Sequence, residues 1–410
     1  MRNIIKVICF STLFIIILSV AFVYSTNTNN SHTNGSSTIN QNDVPADSID
    51  HSHSSLANQP KNAITQPTKK MHIPLDTFKI EHPLLEHSFG VPEFVNDEVI
   101  VFSIDSSEDA MGNIVAISRD TKEMNKVYYS EHNTYLEQLV GIKNSLYWIE
   151  RPRTSNGTNS WMIKSMNLSD HSVQIFRKGI SEDGISPPVL RVNQSKLTWI
   201  ENTIENHIVT STAFMFDPSS VEQTEIASVQ LKEKDKNNRE GTFFNIQRPV
   251  NNGMLIDQSV FKKNNEGHTK SFNLVFYPYD KSSPITIKEN VIDLIDFTAN
   301  EDWVVLCKMG KIIVIDRSTG EVIYEIPGDD PLMTLDTPYI MNNTLYYRFA
   351  MEKIMALDLS TGQVQEVTKS RSTTSKILNS DGYLMFSYME AVNPEENSLA
   401  EFNIIKNPQK

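Results

Sequence analysis

From residue 91 to the end of the chain one pattern returns seven times: a short apolar stretch, a turn of Asn, Asp or Gly, then a strongly apolar strand. The apolar strand is the easiest member to follow, as Val99–Ile104, Leu146–Ile149, Leu197–Ile200, Met254–Ile256, Trp303–Leu306, Leu345–Phe349 and Tyr383–Tyr388. The turn ahead of it reads Asn96-Asp97, Asn144-Ser145, Asn193-Gln194, Asn251-Asn252-Gly253, Asn300-Glu301-Asp302, Asn342-Asn343 and Asn379-Ser380-Asp381-Gly382. These residue types tolerate the positive backbone angles of tight hairpins, which β-branched residues do not. A repeat of this length is one supersecondary unit that cannot bury its apolar face alone, so its neighbours must do so.

Each unit continues with a third strand and, after another tight turn, a fourth. The third strands are expected at Asn113–Ser118, Met162–Asn167, Ala213–Asp217, Asn273–Tyr277, Lys311–Asp316, Lys353–Asp358 and Ala400–Ile405. Fourth strands follow at Lys126–Ser130, Val173–Arg177, Glu225–Gln230, Ile285–Lys288, Glu321–Ile326 and Gln363–Thr368. The seventh unit runs out of chain before its fourth strand, and Thr77–Ile80, just ahead of the first unit, is the candidate to replace it. Pairing the first strand with the last closes a ring and removes exposed sheet edges. The pattern therefore predicts an all-β fold, a seven-bladed β-propeller over about residues 75–410, with six or eight blades open where connections lengthen, notably around 231–245. No stretch after residue 30 sustains a helical period, whereas alternation with period two recurs.

Two further segments precede the repeats. Arg2 precedes, and Lys6 interrupts near its start, an apolar segment over Ile4–Tyr24, the pattern of an export signal. Residues 1–25 are read either as a cleaved signal peptide, with Val23 and Ser25 small enough for a cleavage site, or as a membrane anchor, the run being just long enough to span a bilayer. Cys9 sits inside the run and not after it, which argues against lipidation. Residues 26–74 begin with a stretch rich in Ser, Thr, Asn, Gln and His that cannot bury enough surface to fold, and are read as a flexible linker. His32, His51 and His53 in it are read as solvated. The expected location is extracytoplasmic, on the cell membrane as a single-pass protein or secreted.

The overall charge is −13, from 37 basic and 50 acidic residues, which excludes nucleic acid as the expected partner. Two cysteines, Cys9 and Cys307, cannot build a disulfide framework or a zinc cluster. Few cysteines in an exported chain, with usage rich in Asn, Lys and Ile, fit a Gram-positive bacterial product.

Two turns carry a resemblance. Val314-Ile315-Asp316-Arg317-Ser318-Thr319-Gly320-Glu321 and Ala356-Leu357-Asp358-Leu359-Ser360-Thr361-Gly362-Gln363 resemble the turn between third and fourth strands in PQQ-type (quinoprotein-like) and TolB-like propeller repeats. The resemblance implies a propeller, with Asp and Thr bonding the turn backbone and Gly at a positive-φ position. It covers about a tenth of the chain. Quinone-cofactor members of that group use adjacent cysteines; with Cys307 alone in the ectodomain, no cofactor is expected.

Known catalytic motifs are missing from the sequence: no Gly-x-Ser-x-Gly elbow, no His-Glu-x-x-His, no phosphate loop, no EF-hand loop. One constellation stands out. The second strand ends in an acidic residue in four successive units, at Asp105, Glu150, Glu201 and Asp257, twice within the tripeptide Trp-Ile-Glu (Trp148–Glu150, Trp199–Glu201). The connections that follow are long, and in a propeller they share one face. An arc of carboxylates there would bind a cation, an amine or a basic peptide, or would supply acid and base for glycan chemistry. The bland reading is that these acids mark where strands leave the core. Trp148 and Trp199 are read as core, Cys307 as a buried small hydrophobe, and Lys232–Arg239 as a solvated loop.

Two functions follow. The first is a non-enzymatic extracytoplasmic binding module that presents a loop face to a protein, peptide or cell-wall ligand, without metal. The alternative is a carboxylate-dependent hydrolase or lyase acting on extracellular glycan or peptide.

Overall fold

Hairpin follows hairpin in the computed structural model, which describes residues 62, 64, 70–80, 91–106, 111–153, 159–181, 185–193, 195–235, 238–264, 267–368, 373–380, 382–388 and 400–407. The signal or anchor at 1–25 and most of the 26–74 linker lie outside the described residues. Strand β1 (Leu75–Ile80) comes first, and four antiparallel strands β2–β5 (Phe94–Val95, Val99–Ser106, Met111–Ser118, Met124–Tyr129) form the next sheet. Strands β6–β9 (Thr134–Ile142, Ser145–Pro152, Asn159–Asn167, Val173–Ser181) form another. An eight-stranded sheet joins β10–β13 (Arg191–Asn193, Lys196–Glu205, Ile208–Asp217, Glu222–Asp235) to β14–β17 (Asn238–Val250, Gly253–Asn264, Gly267–Pro278, Ile285–Lys288). Then come β18–β21 (Leu294–Ala299, Trp303–Lys308, Lys311–Asp316, Val322–Pro327) and β22–β25 (Leu335–Met341, Thr344–Phe349, Lys353–Asp358, Val364–Glu366). The last sheet holds β26–β28 (Leu378–Ser380, Tyr383–Ser387, Ala400–Lys406), with β1 on its outer edge. No helix occurs among the described residues, and so none long and apolar enough to cross a membrane.

Strand β1 pairs with β28 in continuous register from Leu75↔Ile405 to Ile80↔Ala400. The start of the chain thus supplies the strand that its end lacks, as Thr77–Ile80 predicted. Ahead of β1 the chain already touches the ring: Met71 exchanges two hydrogen bonds with the Gln365 side chain (2.7 and 3.1 Å), and Ile64 packs against the apolar cluster between β18–β21 and β22–β25.

The second strand of each group is buried on both faces, which is why it reads as a nearly unbroken apolar run. Leu146 and Trp148 point back at Val101 and Ile114, whereas Tyr147 and Ile149 point forward at Leu197 and Trp199. The same alternation runs round the molecule and produces seven apolar clusters. They lie between β2–β5 and β6–β9, β6–β9 and β10–β13, β10–β13 and β14–β17, β14–β17 and β18–β21, β18–β21 and β22–β25, β22–β25 and the β1/β26–β28 sheet, and that sheet and β2–β5. The last cluster, with Tyr383, Met385 and Phe402 against Ile100 and Phe102, closes the ring. First strands line its middle and contact one another, as β2 with β6, β6 with β10, β10 with β14, β14 with β18 and β18 with β22. Close approach there fixes Gly141, where an added Cβ would lie 2.0 Å from the Phe94 ring.

The turn signature of Asp316–Gly320 and Asp358–Gly362 extends well beyond those two sites. Asp316 and Asp358 each accept the amides two and three residues on, between 2.8 and 3.0 Å, and the glycine amides bond back to their carbonyls. Lys122 (φ 63°), His171 (φ 55°) and Val221 (φ 56°) occupy the place of Gly320 (φ 73°) and Gly362 (φ 74°) in three other groups. The geometry repeats where the glycine does not.

Two expectations are corrected. Glu201–Ser211 and Ser259–Ser271 are not long loops: β11 and β12 stay paired out to Glu205↔Ile208, and β15 and β16 out to Asn264↔Gly267. Lys232–Arg239 is likewise no loop but the arm of a hairpin, with Lys232↔Glu240 and Glu233↔Arg239 paired between β13 and β14. Strand pairing carries these arms out past the ring, although their polar composition alone reads as loop.

Candidate functional site

Glu150 lies at the end of the apolar part of β7 and is fully buried, where the bland reading puts an acid at the edge of solvent. Its side chain shares a face with Trp148, whose indole Nε1 donates to Oε1 at 2.9 Å. Tyr128 of the preceding sheet donates its hydroxyl to the same oxygen at 2.6 Å, and Lys164 Nζ ion-pairs with Oε2 at 2.7 Å. Burial, reinforced by the bond to Glu150, pushes the Tyr128 phenol well above its ordinary range, so it stays a donor. Lys164 also donates to the Tyr128 hydroxyl at 2.9 Å.

Glu201 repeats the arrangement one group later. Trp199 Nε1 donates to Oε1 at 2.7 Å, and Arg177 of β9 forks onto both carboxylate oxygens at 2.8 and 2.7 Å. The Arg177 guanidinium also covers the Phe214 ring, which stacks on Trp199. The tripeptide Trp-Ile-Glu is therefore a clamp that ties each sheet to the one before it. Both tryptophans are core, fully buried.

The other two acids sit elsewhere in the register. Counting from the hairpin, Ser145, Lys196 and Gly253 are the first residues of their strands' pairing, which makes Glu150 and Glu201 equivalent. Asp257 falls one position earlier, opposite Leu274, and Asp105 one position later, opposite Gly112. A single step along a strand moves a residue to the other face. So the structure brings Glu150 and Glu201 into one pattern, each against its own cation, and sets Asp257 on the opposite face, while the side chain of Asp105 lies outside the described residues. Asp257 turns toward β18–β21. It is buried and accepts from Asn245 Nδ2 at 3.0 Å, while its other oxygen meets no donor among the described residues. Burial raises its carboxyl above the ordinary range. Asn245 is the extra residue of a bulge in β14 and also bonds Ser259.

Meander topology puts the β11–β12, β13–β14 and β15–β16 tips on one end of the ring. Because Ile208↔Lys232, Leu231↔Gly241 and Gly241↔Phe261 are all paired, the arms form one continuous six-stranded wall above that face. It carries Lys270 over the rings of Phe261 and Phe272, at 5.5 and 4.5 Å, and Arg239 over Phe261 at 5.8 Å.

Sequence reasoning passed over the charges on and beside the first strands. Arg348 forks onto Asp336 at 2.8 and 2.6 Å and donates to the Thr374 carbonyl at 2.8 Å, all buried. Arg248 reaches the next sheet, onto Asp296 at 2.5 Å and the Phe297 carbonyl at 3.2 Å. Arg191 occupies the same register position in β10, opposite Thr198, as Arg248 does in β14, opposite Leu255. The signal available was a lone charge next to a hairpin turn. Cys307 is buried and its thiol pushed up by burial, as fits a small hydrophobe.

With this geometry in view, solved structures define the class. The chain is similar to an acylaminoacyl peptidase bound to Z-Gly-Gly-Phe-chloromethyl ketone (TM-score 0.50, 14% identity, 76% of this chain and 50% of that one). It is similar to a prolyl endopeptidase (TM-score 0.51, 7% identity, 80% and 52%). A third is the β-propeller domain of the Trilobed protease from Pyrococcus furiosus, described as having an open velcro topology (TM-score 0.51, 12% identity, 74% and 93%). The protein is a β-propeller. It spans about half the length of the two full peptidases, and at these identities the likeness fixes the fold alone. No family profile matches the chain, and neither does any curated protein.

Proposed function

We propose that this chain is an exported binding module: a seven-bladed propeller, held at the membrane by residues 1–25 or released by cleavage before Thr26, that presents its walled face to a protein, peptide or cell-wall ligand. Seven apolar clusters support the count, with the eight-stranded sheet taken as two blades fused through the β13–β14 arm. The recurring Asp-turn supports kinship with the PQQ-like and TolB-like repeats. The six-stranded wall, with its cations laid over aromatic rings, carries the binding reading: it adds a stiff, amphipathic surface to one rim and contributes nothing to closing the ring.

Binding of the purified full chain to insoluble wall polymer and to a peptide array tests it. A variant with the β13–β14 and β15–β16 tips shortened to two-residue turns is expected to lose binding at an unchanged melting temperature. Retention of binding by that variant overturns the proposal.

The second reading, a hydrolase or lyase, has Asp257 behind it. Unlike Glu150 and Glu201, it has a carboxylate oxygen with no donor and no cation within ion-pair distance among the described residues. Likeness to peptidase propellers keeps peptide among its substrates. Turnover of peptide or glycan by the full chain, abolished in Asp257→Asn, would put this reading first.

A further inference from the structure

The channel-side belt that runs from β10 to β23 holds three guanidiniums, Arg191, Arg248 and Arg348, against two carboxylates, Asp296 and Asp336. Arg348 takes Asp336 and Arg248 takes Asp296, both at hydrogen-bond distance. Arg191 is left over. Its Nε is sealed from water without an acceptor, and no side chain among the described residues accepts from the rest of the fork. Burial and the like charge of Arg248, offset only in part by the attraction of Asp296, push this guanidinium down, to about 9, so it stays cationic at neutral pH. Asp296, the carboxylate that attracts it, is already taken by Arg248, and a buried cation compensated only in part is a cost that a bound anion reduces.

The position is also reachable from one side. Arg191 keeps partial exposure although protein surrounds it, as a residue lining a channel does. Just beyond it toward the hairpin turn, Asn379 crosses from β26 to the Val192 carbonyl (3.4 Å) and to the Tyr339 hydroxyl (3.2 Å) and narrows the channel. First strands run from the walled face toward that crossing, so Arg191 lies on the walled-face side of the Asn379 bonds. We propose that Arg191 is an anion site that receives a carboxylate entering the central channel from the walled face. A planar carboxylate matches the guanidinium fork, which Lys would not. The site stands on the ring geometry and holds whether or not the wall itself binds a ligand.

Acetate is the probe, with acetamide as its uncharged counterpart and chloride at matched ionic strength. Acetate is expected to raise the melting temperature of the full chain in a saturable way, and acetamide is not. Arg191→Gln is expected to melt at or above wild type in chloride, because it removes a buried charge that is compensated only in part, and to weaken acetate by roughly tenfold or more. Arg191→Lys, which keeps the charge without the fork, falls between the two. A short peptide with a free C-terminus, compared with its amide, tells a chain end from a small acid: acid-only binding that R191Q removes points to a chain end, and acetate binding without peptide binding points to a small carboxylate. Equal responses of wild type and R191Q to acetate would sink the proposal. So would an R191Q that melts below wild type in chloride, since the guanidinium would then already have a partner.

Discussion

The interface of β2–β5 with β6–β9 and that of β18–β21 with β22–β25 have the same geometry and different chemistry. At the first, Glu150, Lys164 and Tyr128 place a buried charge network behind Trp148. At the second, Val305, Cys307, Leu345 and Tyr347 meet with no ion pair between them, and Tyr347 takes the place of tryptophan. The wheel therefore does not need the charge to close. Apolar contact suffices, and the clamps add direction: each fixes one sheet's height relative to the one before, which sliding apolar faces do not.

If that is right, breaking the clamp costs more than breaking the apolar seam. Glu150→Gln leaves Lys164 buried without a counter-charge and is expected to lower unfolding free energy by about 3–5 kcal/mol in denaturant titrations. Adding Lys164→Met should return most of the loss, because removing both partners is far cheaper than removing one. A double variant as unstable as the single one would show the network to be irrelevant. Next in size, Leu345→Ala is expected to lose about 3 kcal/mol through the cavity it leaves, with no polar second site able to restore it.

Glu201→Gln sharpens the comparison, because the same motif is there wetter. The Arg177 side chain is 34% exposed and that of Lys164 10%. Water screens what the fork loses, and the expected cost is about 1 kcal/mol, weakening with added salt. A loss as large as that of Glu150→Gln would mean that burial does not set the strength of the clamp.

The apolar half of this comparison was legible in the sequence and the charged half was not. Asn, Asp and Gly turns ahead of apolar runs locate the hairpins, and a run apolar on both faces forces a neighbour on each side; Thr77–Ile80 even announces the closing strand. The repeated Trp-Ile-Glu was visible too, but its partners Tyr128, Lys164 and Arg177 come from other strands at no fixed spacing. Counting acids from the end of an apolar run put Asp105 and Asp257 with Glu150 and Glu201. Counting from the hairpin turn separates them, because pairing fixes the pleat from the turn outward. Arms such as Lys232–Arg239 stayed hidden because a run of charged and amide residues has no apolar alternation to announce a strand.

Asp257 gives the smallest effect and the cleanest contrast with Glu150. Both are buried carboxylates on second strands, but Glu150 faces Lys164, whereas Asp257 has one amide donor and an orphaned oxygen. Desolvation raises the folded carboxyl above its unfolded value, so the folded state holds the proton more tightly than the unfolded chain does. The favourable contribution is thus complete below the ordinary Asp value, about 4, and is lost as pH rises through the folded value. Asp257→Asn is therefore expected to stabilise at neutral pH, by about 1 kcal/mol, with the gain fading as the solution is acidified toward pH 4. Unfolding curves of wild type and variant across that range measure it. A gain that persists unchanged into acid would trace to packing, and a loss at neutral pH would mean that a cation reaches Asp257 as Lys164 reaches Glu150.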